Sequence, residues 1–180
     1  MRNAWMIGLC VILAGASGCG GPSGGAVPDG GTTPSGFQDE ILRAHNMVRA
    51  SASPAPSPAL APMTWSAEAA SVAQAWANQC HFMHNTGSGY GENIYAASGG
   101  TTTGTGVVAD WASEDASYDY ATNACTATCG HYTQLVWRDS IQVGCALANC
   151  TENSPFGSGS WVFVVCDYTP PGNFVGQRPY

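Results

Sequence analysis

The stretch Trp161-Val162-Phe163-Val164-Val165-Cys166 decides how this chain of 180 residues is read. Three of its six residues are β-branched and two are aromatic, with no helical period, so it reads as a strand. Gln142-Val143-Gly144-Cys145-Ala146 upstream has the same character. The earlier chain keeps another rhythm. Phe37, Ile41, Ala44 and Val48 recur at helical spacing behind the capping-box pattern Ser35-Gly36-Phe37-Gln38. Asp39 and Glu40 are placed in that helix's first turn, and it must stop before Pro54.

A second helix is expected from Ser66 as N-cap to about Cys80, with Trp65, Ala69, Val72 and Trp76 on one face. A third, around residues 107–115, sets Trp111 and Glu114 one turn apart. The Gly/Ser/Thr run at 97–106 reads as a loop, and Gly130-His131-Tyr132-Thr133-Gln134-Leu135-Val136-Trp137 as a short helix. Helices first and strands last, without a βαβ rhythm, predict an α+β fold with an antiparallel sheet covered by helices.

Net charge is −7 and there are no lysines, only five arginines. That excludes a basic footprint for nucleic acid and a polybasic patch for anionic lipid. Arg2 and the apolar run 5–16 read as an export signal, residues 1–18. Ala16-Ser17-Gly18-Cys19 resembles a bacterial lipoprotein signal in which Cys19 is lipidated, with Ala16 where leucine is usual. Residues 20–36 hold seven glycines and three prolines, a flexible tether, so the folded unit is expected at 37–180. Of eight cysteines, Cys10 falls in the signal and Cys19 at the anchor. The remaining six, Cys80, Cys125, Cys129, Cys145, Cys150 and Cys166, imply a disulfide framework with fifteen possible connectivities. No zinc-ribbon spacing is present.

Four separated motifs stand in one order: His45-Asn46-Met47-Val48-Arg49, Gly91-Glu92-Asn93-Ile94, the octet 130–137, and Val164-Val165-Cys166-Asp167-Tyr168-Thr169-Pro170-Pro171-Gly172-Asn173. Together with the six cysteines they resemble the CAP superfamily of cysteine-rich secretory, antigen 5 and pathogenesis-related-1 proteins. The resemblance runs from Phe37 to Tyr180. Tyr118-Asp119-Tyr120 and the ending Gly176-Gln177-Arg178-Pro179-Tyr180 place it nearest the plant pathogenesis-related-1 branch. Asp167 departs from the pattern, which usually has an uncharged or basic residue there.

The resemblance implies a three-layer α-β-α sandwich with a mainly antiparallel central sheet, stabilised by disulfides Cys80–Cys150, Cys125–Cys129 and Cys145–Cys166. It also implies a cleft in which His84, Glu92, Glu114 and His131 meet and could hold a divalent ion such as Zn2+. His45 reads as structural and His81 as a surface residue. The function implied is a non-enzymatic, monomeric binding module outside the cell, for a sterol, a fatty acid or a protein. A metal-dependent hydrolase (peptidase or esterase) is the alternative. It lacks a marked nucleophile and a helical His pair at i, i+4. An antimicrobial or signalling precursor is a third reading, suggested by the tail from Pro170 to Tyr180, which is expected to pack back on the sheet.

Overall fold

The computed structural model describes residues 35–180; the export signal, Cys19 and the tether up to residue 34 lie outside the described residues. Four helices and six strands follow in the order α1 (Ser35–Ala50), β1 (Thr64–Trp65), α2 (Ala67–Ala77), β2 (Gly91–Ser98), α3 (Gly104–Ala112), a 3-10 turn (Ser113–Ser117), β3 (Tyr118–Asp119), β4 (Ala124–Cys125), α4 (Gly130–Leu135), β5 (Gln142–Cys150) and β6 (Trp161–Thr169). The main sheet has the order β1-β5-β6-β2, and β3-β4 form a separate hairpin. Only the two-residue β1 pairs in parallel; β5–β6 and β6–β2 are antiparallel along their whole lengths.

The sheet is buried on both faces, which is why β6 reads as a continuous apolar run rather than an alternation. Val162, Val164, Cys166 and Tyr168 join Phe37, Ile41, Val107, Trp111 and Leu135 in one core cluster, under α1, α3 and α4. Trp161, Phe163 and Val165 join Ala73, Ala77, Ile94 and Ala146 in the other, under α2. The three-layer α-β-α sandwich follows directly from those two clusters.

α2 begins where the sequence places it, with the Ser66 hydroxyl accepting from the Ala69 amide at 3.1 Å. Its buried face is different from the expected one: Ala69, Ala73 and Ala77 are buried, whereas Val72 and Trp76 are only half-buried. The cause is close approach. A Cβ on Gly144 of β5 would run into the Ala70 nitrogen and the Ser66 carbonyl oxygen, so the first turn of this helix lies directly on the strand and its alanines face the sheet. α1 is already helical at Ser35, so Asp39 and Glu40 sit past its first turn. The Glu40 carboxylate instead accepts from the Gly104 amide at 2.8 Å and helps to start α3.

All three disulfides pair as the resemblance implies, with Cα–Cα separations of 5.6 Å for Cys80–Cys150, 5.9 Å for Cys125–Cys129 and 4.1 Å for Cys145–Cys166. Cys145 and Cys166 are direct partners in the β5–β6 register. The C-terminal tail is tied down, to the hairpin, to α4 and to the turn after it. The Arg138 amide donates to the Pro179 carbonyl at 2.7 Å, Arg178 donates to the carbonyls of Tyr120 and Ala121, and the Tyr120 and Tyr180 rings stack at 4.7 Å.

Candidate functional site

The four candidate residues fall into two histidine–glutamate pairs. His84 Nδ1 donates to Glu92 Oε1 at 2.7 Å, and the Asn85 amide donates to the same oxygen at 3.0 Å. His131 Nδ1 donates to Glu114 Oε1 at 2.6 Å, while Glu114 Oε2 accepts from the His131 and Tyr132 amides at 2.9 and 3.2 Å. Glu114 therefore does two things. It fixes the ring of His131, and it caps a short helix whose Cys129 provides no side-chain cap.

In both pairs Nδ1 must carry the hydrogen, because its partner is a carboxylate. In the neutral ring Nε2 is then the bare nitrogen. His84 is raised above the ordinary histidine range by its hydrogen bond to Glu92, against the opposing effect of burial. Its side chain is 53% exposed while that of Glu92 is 6% exposed, so the ring stands at the surface on a sunken carboxylate.

Edge strand β2 lies between the two pairs. Ile94 and Ala96 pack toward α2, and strand alternation puts Glu92 on that same side. Asn93 faces the other way, where its Nδ2 donates to the His131 carbonyl at 3.1 Å and to the Tyr168 hydroxyl at 3.1 Å. The Tyr168 hydroxyl in turn donates to His45 Nε2 at 2.8 Å, and His45 Nδ1 donates to the Ile41 carbonyl at 2.8 Å. Burial holds the His45 ring down at about 4, so it is neutral and structural, as the sequence reading has it. One hydrogen-bonded chain thus runs from α1 through β6 and β2 to the backbone of His131. Trp111 completes the seat: its ring stacks on His131 at 6.0 Å and its Nε1 donates to the Ile94 carbonyl at 3.2 Å.

The octet and the Gly91-Glu92-Asn93-Ile94 motif also meet through Gln134. A Cβ on Gly91 would strike the Gln134 side-chain oxygen, and Gln134 Nε2 donates to Ser140 Oγ at 2.9 Å. Sequence reading selects His84, Glu92, Glu114 and His131 and overlooks Asn93. Its one local signal is its place beside Glu92 on a strand, where neighbours must face opposite ways.

His81 is exposed, as expected. Among the described residues no group of three or more His, Cys, Asp or Glu side chains is close enough to hold a metal ion. The structure gathers the four as two pairs. Neither imidazole has a hydroxyl or thiol partner among the described residues.

A family model described as "Cysteine-rich secretory protein family" (CAP) matches residues 42–168. Pathogenesis-related leaf protein 4 of Solanum lycopersicum is 43% identical over 147 residues, covering 78% of this chain and 82% of that protein. Pathogenesis-related protein 1 of Arabidopsis thaliana is 39% identical over 147 residues, covering 79% and 82%. Among solved structures, NaASP2 with Zn2+ superposes with a TM-score of 0.66 at 24% identity, covering 86% of this chain and 90% of that one, which is a likeness of fold.

Proposed function

The chain belongs to the cysteine-rich secretory protein family, and from that premise we propose that it is an exported, non-enzymatic binding module whose paired histidines accept a divalent ion such as zinc. One observation carries the reading. Each ring gives its Nδ1 hydrogen to a carboxylate, the arrangement in which a metal-binding imidazole is usually oriented, leaving Nε2 for the ion. His84 and His131 would then be the nitrogen ligands. Glu92 and Glu114 either orient them or complete the set through their second oxygens. Glu92 Oε2 is buried with no hydrogen-bond partner among the described residues, and a cation is one group that would satisfy it. Bound there, the ion would tie α4 to the segment between α2 and β2.

Hydrolysis is the second reading, and it finds no side-chain nucleophile at either ring, since neither imidazole has a hydroxyl or thiol partner among the described residues. Calorimetric titration of zinc into the wild type, His84→Ala and His131→Ala tests the reading. Both variants should lose the heat of binding, and Glu92→Gln or Glu114→Gln should weaken affinity about 10–100-fold. Equal heats in all proteins would overturn it.

Export is supported by the three disulfides, which persist in oxidising compartments. Anchoring through a lipid on Cys19 is supported by the small residues before it and the glycine-rich stretch after it. Cys19→Ser should move the protein from the membrane fraction to the soluble fraction; retention in the membrane would refute the anchor. The partner is a sterol, a fatty acid or an extracellular protein, and mass spectrometry of lipids that co-purify with the chain separates the first two from the third.

A further inference from the structure

A cavity of about 260 Å³ is lined by the β3–β4 hairpin, α4 and the C-terminal tail, with Cys129, Gly130 and Thr133 on either side of His131 among its walls. None of His84, Glu92, Glu114 or His131 lines it, and no lining side chain is charged at neutral pH. Its walls combine three aromatic rings, Tyr118, Trp137 and Phe174, with three amides, Asn123, Asn173 and Gln177.

The walls are held from below. Asn173 Nδ2 donates to the Gly130 carbonyl at 2.7 Å and its Oδ1 accepts from Thr133 Oγ1 at 2.8 Å, which locks the tail to α4. Asn123 Oδ1 accepts from the Tyr118 hydroxyl at 2.8 Å, so its two amide hydrogens remain to donate. Both asparagines have left-handed backbones, φ 54° for Asn123 and φ 57° for Asn173. Asparagine is one of the few non-glycine residues that tolerate that conformation, which turns the chain at both walls. Phe174 is 51% exposed and stands edge-on to Trp137 at 6.0 Å. The Gln177 side chain is exposed and makes no hydrogen bond among the described residues.

We propose that this cavity is a subsite for one neutral pyranose ring. With no charged lining residue, the site has nothing to offset the desolvation of an ionic ligand. A hydrocarbon tail would strand the free amide hydrogens of Asn123 and the unbonded amide of Gln177. A sugar ring has both surfaces the cavity provides for: a C–H face for the aromatic rings, and hydroxyls that donate to and accept from amides. The volume is just below that of drug-sized pockets, which start near ~300 Å³, and suits one ring. A prolyl ring would also meet the aromatics, but it has no hydroxyl to engage Asn123 or Gln177.

Saturation-transfer NMR on the full chain tests the subsite, using methyl glucoside, galactoside, mannoside and N-acetylglucosaminide, with methyl glucuronide and a polyproline peptide as contrasts. At least one neutral pyranoside should receive saturation. Its Kd should rise about tenfold in Phe174→Ala, the loss expected of one aromatic contact. Gln177→Ala should weaken it as well, and Val175→Ala, at a fully exposed residue that does not line the cavity, should not. Phe174 and Gln177 are exposed, and an unchanged melting temperature checks that the variants fold. Silence from every neutral pyranoside, an unchanged Kd in Phe174→Ala, equal binding of the glucuronide, or binding of the peptide alone would each overturn the proposal. Zinc titration is independent of all four outcomes.

Discussion

Arg49→Ala is expected to lower the unfolding free energy by about 3–5 kcal/mol, the cost of breaking a buried charged hydrogen-bond network. Arg49 is 2% exposed and has no carboxylate partner among the described residues. Two of its three guanidinium nitrogens bond backbone carbonyls, and the third is buried without a partner among the described residues. Nε donates to Ala61 at 2.9 Å, and one terminal nitrogen donates to Leu135 at 3.0 Å and to Trp137 at 2.8 Å. Burial, followed by the charge of Arg138, lowers it to about 10, so it still carries its charge at neutral pH.

Truncation leaves three carbonyls without their donor and opens a hole, and each stranded acceptor costs about 1–3 kcal/mol. Arg49→Lys should recover less than half of the loss, because one ammonium cannot reproduce a planar fork reaching the 51–62 loop and the end of α4 together. Urea unfolding of the three proteins measures this. A loss under about 1 kcal/mol for Arg49→Ala would mean that water replaces the guanidinium without penalty. Since Leu135 and Trp137 close α4, faster amide exchange in the His131 helix should accompany the loss.

The local signals in the sequence go far with the elements and less far with the faces they present. Trp161-Val162-Phe163-Val164-Val165-Cys166 is legible because a strand buried on both sides needs apolar residues at every position. Ser66 is legible because its capping bond closes within three residues. The face of α2 is not, because Trp76 satisfies helical spacing as well as Ala73 does. Only the approach of Gly144 from a strand far along the chain decides between them.

β2 is the clearest case of hidden structure. Gly91-Glu92-Asn93-Ile94-Tyr95-Ala96-Ala97-Ser98 has neither clean alternation nor a β-branched run, so residue 97 reads as the start of a loop. It is a strand because all eight residues pair with β6. The candidate site follows the same division. His84, Glu92, Glu114 and His131 are found through motifs, but the bonds that seat His131 run from Asn93 across 38 residues and from Tyr168 to His45 across 123. No local period records a contact of that range.

Asp167→Asn should stabilise the protein by about 2–4 kcal/mol at pH 8 and hardly at all near pH 4, a size set by the shift of its carboxyl. Asp167 is fully buried, and neither carboxylate oxygen has a hydrogen-bond partner among the described residues. It sits directly across from Glu92 in the β2–β6 register. Burial first, and the neighbouring Glu92 charge second, push its carboxyl up to about 7 from an ordinary 3.8.

The sign follows. In the unfolded chain the group ionises near 3.8, in the folded protein near 7, so below 3.8 both states carry the proton and burial of the neutral acid incurs no charge penalty. As pH rises from there to 7 the unfolded state loses its proton first, and stability falls. Above 7 the full penalty is present, about 4 kcal/mol by linkage. Asparagine keeps the shape, cannot ionise, and can donate its amide to the unpartnered Glu92 Oε2. The lower end of the range allows for imperfect satisfaction of that amide.

His45 acts in the opposite direction: its stability contribution is present above about 6.5 and is lost as pH falls through about 4. The wild type therefore has opposing slopes between pH 4 and 7, and Asp167→Asn should lose the Asp167 slope while keeping those of His45 and of His84, whose raised ring adds stability that is lost as pH rises. Urea unfolding of both proteins at pH 8 and pH 4 decides the matter. An equal gain at the two pH values would mean that Asp167 carries no displaced proton. A loss at pH 8 would mean that its carboxylate is held by a partner, and that the strand opposite Glu92 is built around a charge instead of against one.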